Sequence, residues 1–166
     1  DNSYYYLVLE QLTKRGIYLD EYLDLVLERV KENAVVIRPT IDYIETAPEE
    51  FYFEAIKRIF LMGNQPQKIA ALKSIQNIEY IPTLDYLNSL GVNISTLDSF
   101  QETAAFLELM EIRENYSEKL INNILPLLDK DFLIARRAYW YLLNAPLSAV
   151  QMTKRDIFLA QNKDRL

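Results

Sequence analysis
The chain has 166 residues, half of them apolar and a quarter charged, with a formal net charge of −6 and neither histidine nor cysteine. Such a composition can bury a core and is too apolar for a disordered segment. The missing residue types exclude a Ser-His-Asp or Cys-His catalytic pair, thiolate or imidazole metal sites and disulfides, and an acidic whole opposes nucleic-acid binding, which needs a basic face.

In chain order, residues 3–14 form an amphipathic helix that Gly16 stops. Tyr18, Leu19, Tyr22 and Val26 begin the next stripe. The β-branched run Ala34–Ile37 and Pro39 leave room only for a short helix starting near Pro39 or Thr40, because proline disfavours helix in the residue before it. Pro48, Glu49 and Glu50 suit a first turn, followed by Phe53, Ile56 and Phe60 on one face, with Gly63-Asn64 as the stop. Asn64 or Gln65 opens a helix with Pro66 in its first turn and Ile69, Leu72, Ile75 and Ile78 on its stripe. Pro82 starts a short helix that Gly91 ends. Ser95 or Thr96 is expected to cap a helix running to about Asn115. Ser117 opens a stripe from Leu120 to Leu128 in which Pro126 should produce a bend. Asp131 caps a helix to Leu143, stopped by Asn144-Ala145-Pro146, and Thr153 with Asp156 resembles a capping box for a last helix over 153–163.

These stripes recur every 34 residues. Lys68, Glu102 and Arg136 mark equivalent positions. Ala70, Ala104 and Ala138 follow two residues later, and Leu72, Phe106 and Trp140 four later; Phe60, Ile94 and Leu128 precede the marks by eight. Tyr18, Tyr52 and Tyr86 share another phase, expected to be a structural ladder of rings. The expected fold is therefore all-α: an α-solenoid of antiparallel helix pairs in which each pair buries its apolar face on its neighbours. Residues 1–166 would form one helical-repeat domain of about four pairs with a half pair at each end. The start at Asp1 without methionine is compatible with a processed or excised piece of a longer chain.

Ile124-Leu125-Pro126-Leu127-Leu128-Asp129-Lys130-Asp131, with Arg136-Arg137-Ala138 and Leu142-Leu143 after it, resembles a HEAT or armadillo-type repeat. Asn64-Gln65-Pro66-Gln67-Lys68-Ile69-Ala70-Ala71-Leu72 is a looser match, and Glu102 departs from the pattern by placing a carboxylate where the family has arginine. The tetratricopeptide repeat shares the period but needs small residues where this chain has Ile56, Leu90 and Ile124. The resemblance, over residues 18–145, implies second helices along a concave surface that binds proteins or peptides, with no shared catalytic residues.

No chemistry-bearing constellation competes with that reading. Glu49, Glu50 and Glu54 fit a solvated helix start, Asp129 and Asp131 fit turn and capping roles, and three scattered glycines cannot cradle a phosphate. The aromatic density at Tyr4-Tyr5-Tyr6 and along Arg136-Arg137-Ala138-Tyr139-Trp140-Tyr141 stands out. The repeat phase leaves Arg137 and Tyr141 on an open helix face, with Lys73 and Leu107 as weaker members from the preceding copies. Tyrosine and arginine are enriched where binding energy concentrates.

Charge is uneven: residues 1–129 hold 11 basic and 21 acidic residues, residues 130–166 hold seven basic and three acidic. The basic end favours an acidic partner segment. The expectation is a non-enzymatic, cytoplasmic scaffold for a protein or peptide, with no cofactor or metal, no nucleic acid and no membrane. Two alternatives are, first, a small acidic inhibitor or immunity-type protein on a basic partner and, second, a helical-repeat enzyme acting on nucleic acid, which the charge opposes.

Overall fold
The structure is a computed structural model that describes residues 1–97 and 99–166. Among the described residues it contains ten α-helices, three short 3-10 turns and no strand, so the all-α expectation holds. The chain forms two compact units, 1–82 and 83–166.

In the first unit, α1 is Ser3–Arg15, α2 Asp20–Glu32, α3 Ile37–Glu45, α4 Glu49–Met62 and α5 Gln65–Asn77. Helices two apart in the chain pack together, α1 on α3, α3 on α5 and α2 on α4, and α4 lies along α5. The α4 stripe shows why: Tyr52, Ala55, Ile56, Ile59 and Phe60 recur at helical spacing and are all buried. Each large side chain there contributes about 1.5–3 kcal/mol by leaving water. Helix α5 carries the expected start, with the Asn64 side chain accepting from the Gln67 N–H and Gln67 Oε1 accepting from the Asn64 N–H. Helix α3 begins earlier than expected. Asn33 accepts from the Val35 N–H, a 3-10 turn spans Ala34–Val36, and Pro39 falls in the first turn. A missing N–H is harmless there, because the first four amides of a helix have no acceptor within it.

In the second unit, α6 is Leu84–Leu90, α7 Phe100–Ile112, α8 Glu118–Ile124, α9 Phe132–Leu143 and α10 Ala149–Asn162. Helix α7 packs on α9, and the 3-10 turn Leu125–Asp129 that continues α8 packs on α9 and α10. Where a bend is expected at Pro126, α8 gives way to that 3-10 segment. Two helix starts differ from expectation. Ser99, not Ser95 or Thr96, caps α7 by accepting from the Glu102 N–H, and Ser95 and Thr96 belong to a 3-10 turn. Asp98, which that expectation included in the helix, lies outside the described residues. Helix α10 starts four residues early, on a capping box made by Ser148 and Gln151 rather than Thr153 and Asp156.

The three aligned alanines do not share one environment. Ala138 is fully buried, whereas Ala70 and Ala104 are half-exposed. Of the tyrosines expected to form a ladder, Tyr18 stacks on Tyr43 and Tyr52 tilts against Tyr80.

Candidate functional site
Of the four residues expected on an open binding face, only Lys73 is exposed, on α5. Leu107 on α7 and Tyr141 on α9 are fully buried, which corrects their outward placement. Tyr141 donates its phenol to the Asn115 carbonyl at 2.6 Å and stacks on Tyr116 with ring centroids 5.0 Å apart. Arg137 keeps only 14% of its side chain exposed and forms a forked ion pair with Glu111 across the α7–α9 contact. Arg137 therefore belongs to the seam of α7 and α9, Tyr141 closes on the turn after α7, and Leu107 is buried on α7.

The reason is a phase slip. Helices α5, α7 and α9 begin at Gln65, Phe100 and Phe132, 35 and 32 residues apart rather than 34 and 34. Each residue of slip turns a helix face by about 100°, enough to exchange an outward position for an inward one.

The open face of α9 lies one residue away, on Phe132, Arg136 and Trp140 at four-residue spacing. The Arg136 guanidinium sits 5.5 Å from the Phe132 ring centre and 4.8 Å from that of Trp140, and the Arg165 guanidinium covers Phe132 at 3.7 Å. Cations and rings thus alternate in a stack held by the attraction of a ring face for positive charge. Neither arginine has a carboxylate partner among the described residues. Rings fix the flat faces of the guanidinium groups while the N–H edges keep their capacity to grip an oxyanion. Trp140 is 42% exposed, and Leu133, two turns earlier on α9, is also exposed. The run of arginines and aromatics in the sequence supplies this stack, one residue away from the phase expected to face outward.

A second feature lies at the other end of the chain. Helices α1 and α2 enclose an apolar cleft of about 570 Å³ lined by Tyr4, Val8, Leu12, Tyr22, Leu25 and Val26, with Asp1 and Arg29 at its margins. Arg29 is already engaged: it donates to Asn2 Oδ1 at 2.6 Å and lies 6.0 Å from the Tyr5 ring centre. The run Tyr4-Tyr5-Tyr6 stands out in the sequence at this place, while Val8, Leu12, Tyr22, Leu25 and Val26 read as an ordinary packing stripe.

No group of three or more acidic, histidine or cysteine side chains is placed to hold a metal ion among the described residues. No helix among the described residues is long and apolar enough to cross a membrane. No protein-family model, curated protein or solved structure matches the chain.

Proposed function
We propose that the chain is a non-enzymatic binding module whose α9 face takes an acidic segment of another protein. The observation that carries this reading is the Arg165–Phe132–Arg136–Trp140 stack, two unneutralised guanidinium groups held in place by rings. Held side chains lose less freedom on binding than free ones, so less of the contact energy is spent on ordering them. Carboxylates of the partner would meet the guanidinium edges, and an apolar partner side chain would lie on Trp140 and Leu133. The surplus of basic residues after position 129 supports the same partner chemistry. Packing of helices two apart within each unit is compatible with a helical-repeat array of the HEAT or armadillo kind, and we hold that architecture as part of the proposal.

Trp140 is the one tryptophan of the chain, so its emission reports directly on this face. Titration with an acidic peptide containing one aromatic residue should shift that emission saturably, and Arg136→Glu should abolish the shift while leaving the helical spectrum unchanged. A titration equally effective with Arg136→Glu would sink the reading. Saturation by a single-stranded oligonucleotide, with no response to the peptide, would replace it by nucleic-acid binding.

A further inference from the structure
The two units repeat one construction 98 residues apart. In the first, α1 ends with Gly16 in the left-handed region, and the Ile17 and Gly16 N–H groups return to the Leu12 and Thr13 carbonyls. In the second, α7 ends with Glu114 in that region, and the Asn115 and Glu114 N–H groups return to the Met110 and Glu111 carbonyls. Tyr43 donates to the Ile17 carbonyl at 2.7 Å and stacks on Tyr18; Tyr141 and Tyr116 do the same at Asn115. Asn33 and Asp131 both accept an N–H at the start of the segment that follows. The α1–α2 pair of the first unit therefore corresponds to the α7–α8 pair of the second.

The corresponding grooves are in different states. Val8, Leu12 and Tyr22 are part-exposed in the α1–α2 cleft, while their counterparts Phe106, Met110 and Leu120 are fully buried. What lies on the second groove is α6 and the turn after it. Gly91 comes so close that an added Cβ would stand 2.9 Å from Leu120 Cδ1 and 3.1 Å from Phe106 Cζ. Asn88 accepts from Asn115 and Ser117, and the 3-10 turn Ile94–Thr96 packs on α8. The covering segment buries Leu87, Leu90 and Ile94, spaced three and four apart.

From this correspondence we infer that the α1–α2 cleft is a docking site for a short basic amphipathic helix of another protein, seated as α6 is seated on α7 and α8. The apolar half of the specification is the leucine spacing of α6, the pattern by which a helix fills a groove. The polar differences refine it. Asn88 finds polar partners in Asn115 and Ser117, but the corresponding positions are Ile17 and Leu19, so an apolar residue belongs in the place of Asn88. The charge half comes from the rim. Glu21 and Glu28 flank the 68% exposed Leu25 on α2 and have no ion pair among the described residues. The cationic side chain among the described residues lining the cleft, Arg29, is turned to Asn2 and Glu32. Lysine or arginine on the flank of the incoming helix meets those carboxylates, whereas α6 itself carries Asp85 in its first turn, which disfavours a second copy's α6 as the occupant. This site shares no residue with the α9 stack and stands or falls independently of the function proposed above.

The test uses the full chain and a fluorescein-labelled peptide with the sequence of residues 83–97 carrying Asp85→Lys, Asn88→Leu and Val92→Lys. Anisotropy should rise saturably. Leu25→Glu should weaken binding about tenfold or more, equivalent to roughly 1.4 kcal/mol, and Glu21→Lys with Glu28→Lys should weaken it several-fold, as should added salt. Val150→Glu, an exposed control on α10, should leave it unchanged. Absence of saturable binding, or equal binding by Leu25→Glu, overturns the site. Equal binding of a control peptide with glutamate in place of the lysines overturns the basic specification. Sedimentation of the chain alone as an oligomer that Leu25→Glu dissociates would make a second copy the occupant and overturn the assignment to another protein.

Discussion

The ends of α1 and α7 solve one problem with different residues. Each helix must reverse direction and satisfy its last carbonyls, and each does so with a left-handed residue followed by a carbonyl that a tyrosine from two helices on takes as its acceptor. In the first unit the left-handed residue is Gly16, which has no Cβ to clash with the backbone; in the second it is Glu114 with φ of 52°. The residue after it is Ile17 in one case and Asn115 in the other, and only Asn115 gathers a buried polar cluster from Asn88, Ser117 and Met110. The comparison separates what the turn requires, a left-handed backbone and a clasping phenol, from what the surrounding unit adds.

The largest test of that equivalence removes the clasp. Tyr43→Ala and Tyr141→Ala should each cost about 3–5 kcal/mol, the usual penalty for deleting a buried ring, while Tyr43→Phe and Tyr141→Phe should each cost about 1 kcal/mol for the lost hydrogen bond. Urea unfolding measures all four. A Tyr141→Ala variant as stable as the parent would show that the ring belongs to a tolerant surface and that the two turns are not equivalent.

Smaller effects of opposite sign are expected at the left-handed residues. Gly16→Ala should destabilise by about 1 kcal/mol, because a Cβ strains that conformation. Glu114→Gly should stabilise by about 0.5 kcal/mol, since relief of the same strain is partly offset by the greater freedom of glycine when unfolded. Thermal midpoints moving in the same direction for both substitutions would break the analogy.

The smallest effect is confined to alkaline solution. Burial pushes the Tyr43 phenol up to about 12, with Tyr18 and Tyr5 nearby adding to it, and raises Tyr141, with Tyr116 and Glu111 adding to it. A phenol whose folded pKa exceeds its unfolded value near 10 favours folding fully below that value. The contribution declines as pH rises from about 10 through the folded pKa. Phenolate absorbance should show these two tyrosines ionising last. The double variant Tyr43→Phe with Tyr141→Phe should lose less stability between about pH 10 and 12 than the parent does; parallel losses would mean that other groups govern this range.

Helix identity was legible because its causes are local. Gly16, Pro66, Asp131 and the stripes at three- and four-residue spacing act within one or two turns, and the corresponding helices are present. The aromatic–arginine density of α9 was equally visible. Its orientation was not: a 34-residue rule places Tyr141 outward, while the actual spacing of 35 and 32 residues turns it into the α7–α9 seam. Helix formation depends on neighbours in the chain, so composition and spacing suffice to specify it. The facing of a side chain depends on loop lengths that tilt and rotate whole helices, and on whether a distant segment lies over it. Phe106 and Val8 occupy the same place on equivalent helices, and one is sealed while the other is open because α6 and Gly91 lie against the first. That distinction arises from residues far apart in the chain meeting in space, and no local pattern encodes it.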